Sequence, residues 1–346
     1  MALKDFIYSK ETTPYTWVTP AKGVWVESAQ ASGGSEVLEQ KITGSNRGPH
    51  LHVEGAKALT QTVSLPWWTT NIGTIFSSFL MTQAITAVDT GVKDHGLVYD
   101  DTAAFDALSI QHKHSATLGF NYLGCAVNSF EIAVATKEAA KLSFELLPKD
   151  EAICGGVWDY DGSTASPAIV SSPTYPTLGR PLMFYDAAIV MGGTPALDGT
   201  TKKMTISGGT TYTKLRNLTI KGSNNLDADA FGLVNDPTLQ EILPGDRTIE
   251  VSFDMSWSDY ATTFYTNARA GTAMALGLDL TGPVITGAYF YEAHIVVPSV
   301  YFDPVELPPL DGDHANKLLT LTGRGQYDSN TGLDFGLWIR SSEATL

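Results

Sequence analysis

The sequence is short of nearly every feature that announces a chemistry. Its 346 residues contain two cysteines, Cys125 and Cys154, in no CxxC pair. That excludes a disulfide framework and reads as two free thiols in a reducing compartment. No apolar run approaches the roughly 20 residues that span a bilayer. The opening "MALKDFIYSKETTPYTW" holds no hydrophobic run of signal-peptide length, so folding in the cytoplasm is the expectation. There is no P-loop, no GxGxxG opening a helix, no HExxH and no GxSxG. Positive charge is scarce too: 22 Lys and Arg stand against 37 Asp and Glu, a formal net charge of -15. A surface that acidic aids solubility and repels phosphates, which argues against a nucleic-acid binder that grips the backbone.

What remains of metal chemistry is fragmentary. His50/His52 and His112/His114 form two H-x-H pairs, which on a strand share one face. No third ligand at a sensible spacing accompanies either pair, so solvated polar strand residues are the plainer reading. Asp159 and Asp161, and Asn224, Asn225, Asp227 and Asp229, resemble pieces of calcium loops without the full spacing and distal Glu. Tight turns explain them as well. No metal and no cofactor is expected. Trp67 and Trp68 could stack on a sugar, but at the mouth of a helix core packing or an interface is the plainer reading.

What is present is patterning. Gly, Ser and Thr are plentiful, recognisable helices are few, and the length suits about two domains. In "RTIEVSFDMSW", Ile249, Val251, Phe253, Met255 and Trp257 alternate with Thr248, Glu250, Ser252, Asp254 and Ser256. Such period-two alternation marks a strand with one dry and one wet face. "KLSFELL", "VNSFEIAVA" and "LRNLTIKG" alternate in the same way, which suggests two related hairpins, the first turning near residues 136–139 and the second carrying an insertion over 223–246. Two short amphipathic helices are expected. Ile72, Ile75, Phe76, Phe79 and Leu80 mark one, capped by Thr69, Thr70 or Asn71. Ala261, Phe264, Tyr265 and Ala268 mark the other, capped by Ser258 and ended by Gly271. The stretch "ESAQASGGSEVLEQKITGSNRGPHLHVEG", residues 27–55, reads as a long irregular excursion. Residues 161–181 read as a Pro-rich linker. The expected plan is a diverged internal duplication: a first module over 1–160, the linker, and a second module over 182–346 ending in a C-terminal arm.

The hairpin "NSFEIAVATKEAAKLSFEL" beside "QTVSLPWWTTNIGTIFSSFL", and the later "KLRNLTIKGSNNL…DRTIEVSFDMSWSD", resemble the tail tube proteins of long-tailed bacteriophages. The resemblance covers roughly 55–151 and 192–323. It implies a mainly β (α+β) fold of two tandem modules, each a β-sandwich or part-barrel flanked by a short helix. Six modules form a ring in that family, so a two-module chain resembles the trimeric, pseudo-sixfold type, as in very long-tailed Thermus siphophages. The implied role is a structural virion protein that stacks into the hollow tail tube, is assembled in the host cytoplasm and has no membrane association. Implied partners are further copies of itself, the tape measure protein, tail terminator and tip proteins, and double-stranded DNA in transit. On this reading the candidate lumen-facing residues are Glu131, Ser143, Glu145, Glu250, Ser252 and Asp254, an acidic wall that repels phosphates. The excursion, the 223–246 loop and the C-terminal tail would reach between subunits or rings and stay mobile before assembly. A carbohydrate-binding or hydrolytic β-sandwich and a tail-tip ring protein are the rival readings.

Overall fold

A computed structural model describes residues 5–40, 51–80, 82–100, 106–158, 164–175, 180–232, 236–256, 264–305 and 318–343. Among the described residues the chain is mainly antiparallel β. The first half carries β1 (Asp5–Lys10), β2 (Lys22–Val24), β3 (Ser28–Gln40), β4 (Leu51–Pro66), helix α1 (Gly73–Leu80), β5 (Thr82–Asp89), β6 (Val92–Val98), β7 (Leu108–Lys113), β8 (Gly119–Val134), β9 (Lys141–Leu147) and β10 (Asp150–Ile153). The second half carries β11 (Ala187–Met191), β12 (Thr194–Leu197), β13 (Met204–Ser207), β14 (Thr210–Tyr212), β15 (Arg216–Ser223), β16 (Thr248–Ser256), helix α2 (Phe264–Ala270), β17 (Met274–Thr286), β18 (Tyr289–Phe302), β19 (Leu318–Gly325) and β20 (Gly336–Ser341).

One curved sheet organises the chain. Its strands run β3–β4–β9–β8–β15–β16–β19, each antiparallel to its neighbour, and it does not close into a barrel. A second run, β5–β6–β20–β18–β17–β11–β14, lies in the same hydrogen-bonded network. The two halves are therefore stitched together twice, by β8 on β15 and by β20 on β6. They also share one core, since Phe130 of the first half meets Phe335 of the second at 5.1 Å between ring centres.

Both helices pack against the dry face of the curved sheet. The rings of Phe76 and Phe79 in α1 meet Phe130 edge-on at 5.5 Å and 4.8 Å, and Phe76 meets Phe144 at 5.0 Å. In α2, Phe264 stands 6.0 Å from Phe253. Helix α2 ends in a Schellman turn: Gly271 takes φ +61°, its N–H donates to the Ala268 carbonyl, and the Thr272 N–H reaches back to Asn267 at 2.9 Å. Helix α1 differs from the amphipathic expectation, because all eight of its residues are buried. Ser77 and Ser78 are tolerated inside because their hydroxyls donate to the carbonyls of Thr74 and Asp106. Its expected cap is also displaced. Asn71 turns its amide to the Gly23 and Thr174 carbonyls, and the Ile72 carbonyl accepts the first helical bonds instead.

The described part of each segment read as irregular is tied down. Residues 28–40 and 51–64 pair as a long β3–β4 hairpin, with a register shift between Ser35 and Val37 and Gly33 at φ +118°. Backbone ladder bonds need no apolar alternation, so a Gly/Ser-rich strand pairs without announcing itself. The linker is strapped across the first half. Asn121 donates to Ser166 Oγ and the Pro167 carbonyl, Gln111 accepts from the Val170 N–H, and Leu182 exchanges backbone bonds with Trp67 and Ala140. The 223–246 insertion folds back onto its own chain. Leu226, Leu239 and Ile242 join Ala126 and Leu147 in a small core, and Asn224 donates to the carbonyls of Phe79 and Val127. The described end of the chain is paired as well. Strand β20 is sandwiched between β18 and β6, and the mostly buried Glu343 reaches Lys22 at 3.4 Å. The β3–β4 hairpin extends past its supporting strand, since β9 pairs with β4 no further than Gln61.

One pairing pattern occurs in both halves. In each half a strand leads into a helix, as β4 into α1 and β16 into α2. That strand lies between its hairpin partner (β3 or β15) and a later strand (β9 or β19). In this pattern β15–β16 takes the place that β3–β4 takes in the first half.

On the outer face of the second run, His294 Nδ1 lies 2.6 Å from Asp279, and its Nε2 lies 3.8 Å from Glu292. Arg340 binds Asp94 and Glu292, and Lys203 stands over the Trp338 ring. Burial alone would lower the His294 pKa; the two carboxylates outweigh it and raise it above 6.5. A pKa raised on folding gives stability that is fully present below the unfolded value and is lost as pH rises through the folded one. Denaturation midpoints should therefore fall as pH climbs from about 6, and H294N should flatten that slope.

Candidate functional site

The wet face of the curved sheet collects all six residues nominated by alternation. Glu131 projects from β8, Ser143 and Glu145 from β9, and Glu250, Ser252 and Asp254 from β16, each half-buried or exposed between buried neighbours, with Ser129 half-buried beside them on β8. They are brought together by register. Glu131 faces Ser143, Glu145 faces Ser129, and Ser252 faces Thr219 and Thr322. Two shallow grooves mark the face. Glu131, Ser143, Glu145, Lys221 and Glu250 line one; Ser252, Lys221, Glu250 and Arg324 line the other.

Sequence reading missed the cations. One row across the sheet reads Ser143–Glu131–Lys221–Glu250–Arg324, with alternating sign. Lys221 Nζ lies 2.9 Å from Glu131. Lys141 lies 3.5 Å from Glu27 and 3.6 Å from Glu138, and Arg216 is the register partner of Asp254. The face is therefore mixed and not a uniformly acidic wall. The signal was available: Lys221 falls on the wet parity of "LTIKGS", between Thr219 and Ser223. Asp254 is held by Asn217 Nδ2 at 2.8 Å and the Thr320 hydroxyl at 2.6 Å, and Glu145 by the Ser129 hydroxyl at 3.1 Å.

The weaker candidates resolve into structure. His112 is buried between Phe6 and Tyr122, and burial, helped by His114, lowers its pKa to about 4. Trp67 is fully buried against Phe76, so it offers no platform for a sugar. Asn225 donates to the Asp246 carbonyl, and Asp227 accepts from the Asp229 N–H, which closes the base and bend of the insertion. His50, the side chain of His52, Asp159, Asp161, Trp257 and Ser258 lie outside the described residues.

Open sheet edges complete the picture. The outer edge of β3 has no partner strand in the described chain, and β19 meets β18 only at its Gly323–Gly325 end. Exposed edges are a liability for a solitary protein and an asset for one that assembles. A polar, shallow face between two such edges defines a structural building block. The family comparison agrees: residues 5–313 match the phage tail tube protein model, and the chain belongs to that family. It is a structural component of the phage tail. No curated protein matches it. Among the described residues, no helix is long and apolar enough to cross a membrane.

Proposed function

We propose that three copies of this two-module chain close into a pseudo-sixfold ring, that rings stack into the tail tube, and that the wet face of the curved sheet lines the lumen through which DNA passes. The carrying observation is the seam between β8 and β15, where Leu218–Ser223 pair with Ser129–Val134. It joins the two repeated units inside one chain and leaves a β3 edge and a β19 edge for neighbours. Pairing those edges between copies removes them, as closure of a sheet does. A head-to-tail contact between rings does not close, so it propagates into a tube. The β3–β4 hairpin is suited to reach an adjacent copy. Tape measure, terminator and tip proteins are the expected partners within the virion.

Electron microscopy of purified protein under assembly conditions should show long hollow tubes; isolated rings or discrete particles would reject the reading. Lumen facing is tested with S143C and S252C. The native thiols offer little background, because burial pushes Cys125 up and Cys154 up to about 11. In tubes, both engineered thiols should react with a small maleimide and resist one carried on a large dextran. Free subunits should react with both. Equal labelling of tubes by the dextran probe would place the face outside.

A further inference from the structure

On the reading of the wet face as the DNA-facing surface, we propose that Glu131 and Glu250 are clamps on Lys221, which prevent it from gripping DNA phosphates. The carboxylates then act locally on one cation and not as a general repelling wall.

The register carries this. Lys221 sits in the middle of three strands, directly across from Glu131 on β8 and Glu250 on β16. Its ammonium lies 2.9 Å from Glu131, while its side chain is 55% exposed, so it would meet any polyanion moving over the face. An acidic residue stands beside each of the other basic residues of the face too, by register or by contact. Arg324 faces Glu250, Arg216 faces Asp254, and Lys141 lies near Glu27 and Glu138. Glu145 is the informative exception. It lines the same groove, but faces Thr62 and Ser129 and takes its hydrogen bond from a serine hydroxyl.

A surface that must let a polyanion slide has two options. It can exclude cations, or it can keep each cation engaged with an acceptor that travels with it. An unclamped lysine adds one phosphate contact and one released counterion, which is what makes DNA stick. A lysine already paired with one carboxylate and flanked by a second across the sheet gains little by exchanging one anion for another. Such a wall stays smooth without needing a large negative potential.

The test uses the full-length unassembled chain, where the face is open, and a short fluorescent DNA duplex followed by anisotropy at low salt. E131Q and E250Q should each tighten binding about two- to fivefold, the range of one exposed ion pair. The double variant should tighten it about tenfold and steepen the salt dependence by about 0.9 in log–log slope, as one extra phosphate contact requires. E145Q removes the same charge from the same groove and should leave binding near wild type. Adding K221M to the double variant should return it to wild type. If E145Q tightens binding as much as E131Q, or the gain survives K221M, the wall acts by general repulsion and the clamp is wrong. No change in any variant would also overturn it. The labelling of S143C and S252C in tubes judges the lumen assignment independently of either result.

Discussion

Phe130→Ala should cost about 3–5 kcal/mol, the range for removing a buried aromatic ring. It should do so in one cooperative transition. Phe130 is 2% exposed and is the hub of the aromatic core. Phe76 and Phe79 meet it from α1, Phe144 is its register partner on β9, and Phe335 reaches it from the second half. It also lies across Gly222 of β15, where an added Cβ would come within 2.4 Å of the ring. The glycine is needed for that close approach, not for its backbone freedom. The ring thus locks α1, the first-half sheet and the seam to β15 at one point. A cavity there cannot be filled by a shift of one neighbour without disturbing the others. Urea denaturation followed by both fluorescence and circular dichroism is the measurement. A shared core requires the two signals to shift together. If the halves unfolded separately, the curve would split and only the early phase would move.

The elements that announced themselves in the sequence are those whose partners lie close by or whose faces differ sharply. Strands β8, β9, β15 and β16 alternate because one face meets Phe76, Phe79 and Phe264 while the other stays wet. Gly271 was legible because a helix end needs a residue at positive φ. Pairings between distant segments were not legible. Nothing local in "RNLTIKGS" says that it will lie against Ser129–Val134, or in "GLWIRS" that it will lie between β18 and β6. The burial of α1 was hidden for a related reason: β8 packs against it, and so do β5 and β6, and nothing local in the helix says that all three will. The β3–β4 hairpin was hidden because its ladder is backbone chemistry written on a Gly/Ser-rich sequence. The wet face was half legible. Its carboxylates were found by parity, and the cations between them were passed over because an acidic composition suggested an acidic wall. Register, which composition does not contain, turned that wall into alternating pairs.

Lys57→Met should be nearly as damaging as the loss of Phe130, through electrostatics instead of packing. The Lys57 side chain is 5% exposed and that of Asp150 is fully buried, with Nζ to Oδ1 at 3.1 Å. The ammonium also donates to the Glu151 carbonyl at 3.0 Å, and the Lys57 backbone N–H donates to Pro237 of the insertion. The pair therefore sits where β4 passes beyond the support of β9, and ties the base of the β3–β4 hairpin to β10 and to the folded-back insertion. Removing one partner of a buried pair leaves the other charge desolvated, which costs about 3–5 kcal/mol. Replacing both charges with apolar residues of similar size removes that penalty. K57M/D150L should thus recover most of the stability that K57M loses, a large coupling between residues in contact. The second consequence is local. In K57M, amide exchange should accelerate over 28–34 and 57–60, where the hairpin loses its anchor, and stay slow in β8 and β15. Equal losses for K57M and the double variant would mean that the pair stabilises through packing of the lysine stem alone. Unchanged exchange at the hairpin base would mean that the hairpin is held by its ladder and not by the buried charges beneath it.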